Sequence, residues 1–280
     1  MPTVGIATGA GRGMGYECGR LLPSMVDHVI LLDRVEESVV AAASELAASS
    51  GASVEPFVAD VTDSGALARL ADRVAEIGTL RAVAHAAGIS PSMANWRRIF
   101  EVDLIGTALL ARALRPLATA GTATVNFASM AAVLRPPEPR DADLVALMAD
   151  PLQDGFLGKL REVAGPGIED SGAAYSLAKR GVRAFTQREA VLVGPRGARV
   201  VSLSPGLIDT PQGQQEAEGH PVMAEMLKAT PLGRLGLAQE VAKVVAFALS
   251  DQASFLSGID LLVDGGLVAA ISASGRNGSA

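Results

Sequence analysis

A single cysteine, Cys18, excludes an internal disulfide and a cysteine-based zinc site, and a chain of this kind belongs in a reducing compartment. There are three histidines, His28, His85 and His220, and no two stand at metal-ligand spacing, so no catalytic metal is expected. Positive charge is scarce: the formal net charge is −6, and no long basic run is present. Nucleic acid and anionic membranes are therefore not expected partners. Apolar runs are short. The stretch 241–249 is too brief to span a bilayer and carries Lys243, and the opening Met1-Pro2-Thr3-Val4 lacks the basic-then-apolar pattern of a signal peptide. A cytoplasmic protein is the expectation. Aromatics make up only 4% of residues; Ala, Val and Leu take their place and bring the hydrophobic share to 49% against 19% charged. That balance excludes disorder and suits helices packed closely on a Val/Ile/Leu-rich parallel sheet.

The apolar pattern alternates between short and long. Strand-like runs fall at 4–8, 28–32, 54–59, 80–85, 122–128, 199–203 and 258–263. Helical patterns fall between them: one after a glycine-rich turn to about 25, then 36–50, 64–77, 95–117, 173–192 and 239–249. Strands separated by helices predict right-handed βαβ units. The predicted fold class is α/β: a doubly wound, Rossmann-type, seven-stranded parallel sheet with helices on both faces, in one domain over 1–270. Residues 271–280 are small and polar and read as a flexible tail. Two stretches break the rhythm. The segment 135–172 opens on Arg135-Pro136-Pro137-Glu138-Pro139 and continues with two short amphipathic patterns; it reads as a helical insertion. The other, 207–230, is polar at first and then helical in pattern.

Chemistry gathers at the strand ends. Gly9, Gly13 and Gly15 follow the first strand and open a helix, where a pyrophosphate can approach backbone N–H groups that side chains would otherwise screen. Arg12 and Met14 lie within this turn. The same turn also serves a strand-to-helix corner with no ligand. Asp33 ends the second strand, 18 residues past Gly15, near the spacing at which an acid binds the adenosine ribose hydroxyls. A carboxylate there repels a 2′-phosphate and favours NAD over NADP; Arg12 and Arg34 pull the other way, since each can pair with a phosphate. An acid in this loop can also serve as a helix cap. Tyr175 and Lys179 stand at i and i+4 on a predicted helix and so share a face. A free phenol titrates near ~10, and a neighbouring ammonium favours phenolate, the form that can take a proton. Taken alone, the pair is equally compatible with a surface helix. Ser129 closes the fifth strand, at the sheet edge where α/β sites assemble.

Gly9/Gly13/Gly15, Ser129 and Tyr175/Lys179, in that order, resemble the short-chain dehydrogenase/reductases of compact single-domain type. Further matches extend the resemblance from about residue 3 to 268. Asp60-Val61 resembles the adenine-contacting pair after strand three, and Ala86-Ala87-Gly88 the turn after strand four. Pro205-Gly206 with Ile208 and Thr210 resembles the loop that binds the nicotinamide carboxamide, and Asp264-Gly265-Gly266 the closing turn. The resemblance implies an NAD(H)-dependent enzyme interconverting a secondary alcohol and a ketone or other carbonyl on an apolar substrate such as a hydroxysteroid or other cyclic alcohol. In that family Ser129 and Tyr175 would bind the substrate oxygen and Lys179 would tune the tyrosine and hold the nicotinamide ribose. A homodimer or homotetramer is implied as well. Two departures stand out. Asp103 occupies a position where the family has an asparagine that supports a proton relay, and it is retained here as a candidate catalytic residue. Ser129 and Tyr175 are separated by the long 135–172 insertion, as in the bacterial 3α-hydroxysteroid dehydrogenase/carbonyl reductase branch. That insertion could cover the site as a lid, form a subunit contact, or pack on its own domain. The rival readings are a dinucleotide-binding sensor without turnover, and a sugar-nucleotide epimerase or dehydratase, which would carry a different glycine spacing and a larger C-terminal domain.

Overall fold

The computed structural model describes residues 1–134, 141–217 and 221–277. Its strands are β1 (Thr3–Thr8), β2 (His28–Asp33), β3 (Ser53–Val58), β4 (Thr79–His85), β5 (Ala123–Phe127), β6 (Arg199–Pro205), the two-residue β7 (Ile208–Asp209) and β8 (Gly236–Leu237), and β9 (Asp260–Val263). The helices are α1 (Gly13–Leu21), α2 (Glu36–Ser49), α3 (Ser64–Ile77), α4 (Trp96–Phe100), α5 (Gly106–Leu114), α6 (Ala131–Leu134), α7 (Asp141–Met148), α8 (Phe156–Ala164), α9 (Ser171–Val193), α10 (Pro211–Ala217), α11 (Pro221–Ala229), α12 (Ala238–Leu249) and α13 (Leu267–Asn277).

Seven strands form one parallel sheet in the order β3-β2-β1-β4-β5-β6-β9, the predicted architecture. The strands are legible because both faces of the sheet are covered, so successive residues are apolar yet feed opposite layers. Ile6, Ile30, Leu32 and Val83 pack with Phe100, Leu104 and Val182 on the face carrying α3, α5 and α9. Ala7, Leu31, Ala84 and Val125 pack on the other face with Val39 of α2 and Val241 and Val245 of α12. Chain progression reverses between β1 and β4, and a sheet of this kind opens a crevice at the carboxyl ends of its strands at that point.

The segment predicted as one helix over 95–117 is interrupted. Between α4 and α5 the five residues Glu101–Ile105 form a π-turn, and Val102, Asp103 and Leu104 within it are all buried. A π-turn widens the helix by one residue and is common where a side chain must be carried to a particular place; here it carries Asp103 into the interior. The polar tail predicted from 271 is helical as far as Asn277, because α13 begins on Leu267, which is fully buried against Met130 and Leu207. Residues 278–280 lie outside the described ones.

Of the three expectations for the insertion, packing on its own domain is what its described part does. Leu144, Met148, Phe156 and Leu160 are buried in the layer containing Phe100 and α9, while Val145 and Val163 face outward. Arg188 of α9 fastens the insertion from below, with its guanidinium 2.8 Å from the Asp150 carboxylate and 3.2 Å from the Ala149 carbonyl it donates to. No described residue between Asp141 and Ser171 lines the cleft. The proline-rich opening of the insertion, 135–140, lies outside the described residues, as does His220.

Candidate active site

The crevice at the sheet reversal holds a cleft of about 1320 Å³. Part of its lining is built on the β1–α1 turn. Gly9 and Gly13 take φ of +63° and +61°, a region that favours glycine, and α1 then presents its N-terminus to the cleft. Gly15, Arg12 and Met14 complete that wall. Asp33 ends β2 with both oxygens committed locally: Oδ2 accepts from Gly11 N–H at 3.0 Å and Oδ1 from Val35 N–H at 3.1 Å. Arg34 beside it is exposed. Asp60 and Val61 follow β3. The Asp60 carboxylate accepts from the Thr62 amide and hydroxyl at 2.9 and 2.7 Å and from Arg98 at 2.7 Å. Partial burial opposes ionisation of Asp60, but the Thr62 hydrogen bonds and the Arg98 cation outweigh it and hold the carboxyl below its ordinary range. Arg98 also lines the cleft. Its motif-free position on α4 hid it in the sequence.

The cleft is also lined by the expected Ser129, Tyr175 and Lys179. Ser129 stands just beyond β5, and its Oγ accepts from Ala131 N–H at 3.2 Å. The helix α9 is capped by Asp170, whose side chain accepts from Ala173 N–H at 2.8 Å. It is locked to the sheet by Asn126 donating to the Thr186 hydroxyl at 3.0 Å, and to the end of α5 by a two-pronged Arg115–Glu189 contact at 2.8 and 2.6 Å. Next to Tyr175, the Ser176 hydroxyl donates to the Ala131 carbonyl at 2.7 Å and so ties the tyrosine's turn to the segment leaving Ser129. Lys179 is buried; its Nζ donates to the Phe127 carbonyl at 3.1 Å and lies 5.6 Å from the centre of the Tyr175 ring. Ser129, Tyr175 and Lys179, from distant parts of the chain, thus line the same cleft as the glycine turn.

Every residue expected in the cofactor site lines this cleft, including Ala86, Ala87, Gly88, Pro205, Gly206, Ile208 and Thr210. Asp103 does not reach it. Its carboxylate lies behind Gly88, fully buried, with Oδ1 accepting from Ile89 N–H at 2.9 Å and standing 3.8 Å from the Lys179 ammonium. Oδ2 has no hydrogen-bond partner among the described residues. Burial pushes the Asp103 carboxyl above its ordinary value, against the opposing pull of Lys179 and the Ile89 amide. A carboxyl raised in this way favours the folded state fully only below its unfolded pKa, about 4, and loses that contribution as pH rises through the folded value. An amide has no such loss. Asp103→Asn is therefore expected to melt higher than the parent at about pH 8, with the gain shrinking toward about pH 4, in thermal denaturation followed across that range. A gain independent of pH would contradict the assignment.

The remaining wall escaped the motif search. Met93, Met130, Met223, Met226, Leu207 and Leu227 give it an apolar, thioether-rich surface. They come from separate segments of the chain, and only folding brings them together. Among the described residues, no group of three or more His, Cys, Asp or Glu side chains could hold a metal ion, and no helix is long and apolar enough to cross a membrane.

Comparison with known proteins places this geometry. The family model described as enoyl-(acyl carrier protein) reductase matches residues 9–140 and 160–268, passing over the middle of the insertion. Cis-4-hydroxycyclohexanecarboxylate dehydrogenase of Sinomonas cyclohexanicum is 34% identical, over 95% of this chain and 96% of that protein. Cyclohexanol dehydrogenase of Acinetobacter sp. strain SE19 is 32% identical, over 94% and 93% respectively. A solved short-chain type dehydrogenase/reductase from Mycobacterium ulcerans superposes with a TM-score of 0.75 at 26% identity, covering 95% of this chain and 90% of that one. With the matched family model spanning the glycine turn, Ser129 and the Tyr175/Lys179 helix, the chain is an oxidoreductase of the short-chain dehydrogenase/reductase family.

Proposed function

We propose that the chain interconverts an apolar cyclic secondary alcohol and its ketone, with NAD as the hydride partner. The observation that carries this reading is that Ser129, Tyr175 and Lys179 line the same cleft as the glycine turn. The residues present fit a dinucleotide. Gly9 and Gly13 put no side chain between the backbone and the cleft, the N-terminus of α1 opens on the same cleft, and the Asp33 carboxylate beside it would repel a 2′-phosphate. An oxidised nicotinamide held in the cleft would supply the acceptor for the hydride that leaves the carbinol carbon. Tyr175, as phenolate, takes the hydroxyl proton, and in the reverse direction returns it to the carbonyl oxygen. Ser129 holds the same oxygen by hydrogen bonding, more strongly as charge develops on it. Lys179, fixed by the Phe127 carbonyl, supplies the positive charge that favours phenolate, and its ammonium would hydrogen-bond the ribose of a bound nicotinamide. Asp103 acts from behind, through Lys179 rather than on the substrate.

The substrate preference follows from the far wall. Methionine side chains adapt to irregular apolar shapes, and five of them line the cleft. Two relatives are named for six-membered-ring alcohols, cyclohexanol and 4-hydroxycyclohexanecarboxylate. The test is spectrophotometric: formation of reduced cofactor from a panel of cyclic, linear and aromatic secondary alcohols, run in parallel with NAD+ and NADP+. Turnover of cyclic alcohols with NAD+, and weaker turnover with NADP+, is the expected result. No reduced cofactor from any alcohol, and no reverse reaction with the matching ketones, would overturn it.

A further inference from the structure

His85 is the last residue of β4, directly across from Thr8 of β1, and it is 1% exposed. Both of its ring nitrogens are engaged. Nδ1 lies 2.8 Å from the Thr8 hydroxyl and Nε2 3.0 Å from the Thr107 hydroxyl. The direction of every hydrogen in this chain is fixed by what lies at its ends. Thr107 donates its one hydroxyl proton to the Asp103 carbonyl at 2.7 Å, so it must accept from His85 Nε2–H. With the one ring hydrogen of a neutral imidazole on Nε2, Nδ1 can only accept, so the Thr8 hydroxyl donates to it while accepting from Ala87 N–H at 3.1 Å. The tautomer assigned by this network is the neutral Nε2–H form. Burial, with the nearby Lys179 charge, pushes the imidazole down to about 3, so it stays neutral throughout the working range. His85 is thus no acid or base in the reaction. It is the link between the Ala86–Gly88 turn on one side and the backbone of the π-turn that carries Asp103 on the other.

We propose that His85 is a positioning residue with two separable ends: Nδ1, through Thr8 and Ala87, sets the turn that borders the cofactor, and Nε2, through Thr107, sets the π-turn that holds Asp103 against Lys179. The proposal rests on the function inferred above and adds a residue that touches neither substrate nor cofactor. Each end has its own kinetic consequence. Loosening the Thr8 end affects how well NAD+ binds. Loosening the Thr107 end lets the Asp103 backbone drift, with its side chain and hence Lys179, and affects turnover of the bound complex.

Three variants separate the ends. Thr107→Val removes only the π-turn end. His85→Asn keeps an acceptor near the position of Nδ1 but is too short to reach Thr107. His85→Leu removes both ends at similar volume. Each is measured for NAD+ dissociation constant by direct titration, for kcat and alcohol KM, and for melting temperature. With one buried hydrogen bond worth about tenfold in an equilibrium or rate, Thr107→Val and His85→Asn should keep NAD+ affinity within about twofold and lower kcat about tenfold. His85→Leu should lose about tenfold in both. The double variant His85→Asn/Thr107→Val should be no worse in kcat than Thr107→Val alone, since both break the same link. If His85→Leu fails to fold, the other two variants and their double still decide the matter. Variants that lose melting temperature while keeping parental constants, or a Thr107→Val or His85→Asn chain that loses NAD+ affinity in parallel with kcat, would overturn the proposal. A parent chain that binds no NAD+ would overturn both this proposal and the proposed function; a parent that binds and turns over while the variants match it would overturn this one alone.

Discussion

Tyr175→Phe should lower kcat by about 10³-fold while leaving the NAD+ dissociation constant nearly unchanged, because a positioned acid/base contributes roughly 10²–10⁴ to a rate. The substitution removes one oxygen and keeps the ring. Ala174 and Leu177 on either side remain buried, and the ties that hold this turn of α9, from Ser176 to the Ala131 carbonyl and from Lys179 to the Phe127 carbonyl, do not involve the phenol. Fold and cofactor cleft should therefore survive, and the loss should be confined to the proton transfer. A companion variant sharpens the test. Groups that act as a unit lose activity once, not twice, so Tyr175→Phe/Lys179→Met should have a kcat close to that of Tyr175→Phe, although Lys179→Met alone is also severe. Steady-state kinetics beside an NAD+ titration would check both. A Tyr175→Phe enzyme within tenfold of the parent would remove the phenol from the mechanism and leave Ser129 or a bound water as the proton acceptor.

The parts of this molecule that its sequence announces are those encoded within a few residues of one another. β1 and β2 show as short apolar runs, and β4 as one broken only by Arg81, because they are covered on both faces. The glycine turn shows because three glycines stand close together, and Tyr175/Lys179 because one helical turn separates them. What the sequence hid depends on long-range closure. The π-turn at Glu101–Ile105 has ordinary helix formers in it, and only its three successive buried residues betray it once Val61, Phe100 and α9 are packed around it. Arg98 acquires a role through Asp60, which lies 38 positions away. The methionine wall gathers residues from the loop after β4 to α11. The insertion offered an apolar face to any of three partners, and the choice of its own α9 was made by shape: Met148 and Leu160 fill space that the sequence could not show to be empty. His85 read as a strand-end histidine, and its hydrogen-bond chain appears only when Thr8 and Thr107 arrive from opposite sides.

Two alanine substitutions in the glycines should fail in opposite ways, and their contrast tests how the fold and the chemistry are divided. At Gly15 an added Cβ would sit inside the Gly9 carbonyl and 2.6 Å from the Thr8 carbonyl oxygen. Both obstacles are backbone at the end of the central strand, with β2 and β4 on either side, and neither can step aside. Gly15→Ala should therefore abolish NAD+ binding and sharply lower the yield of folded protein, since overpacking alone costs about 1–3 kcal/mol or more in a chain whose whole stability is about 5–15 kcal/mol. At Gly88 the added Cβ would meet the Asp103 Oδ1 at 2.9 Å and the Lys179 Nζ at 3.1 Å. These are the tips of two side chains, and they can move apart. Gly88→Ala should fold, with a melting temperature within about 5 °C of the parent, a shift worth only one or two kcal/mol. It should nevertheless lose about 10²-fold in kcat, because a displacement of the order of 1 Å in a positioned catalytic group costs that much. The wedge has a specific remedy. Shortening the carboxylate with Asp103→Ser in the Gly88→Ala background makes room for Lys179 to return to the Phe127 carbonyl, and it should recover part of the lost kcat while Asp103→Ser alone does not improve on the parent. Absence of that recovery, with Gly88→Ala folded and inactive, would mean that Gly88 serves the substrate directly rather than through the buried pair behind it.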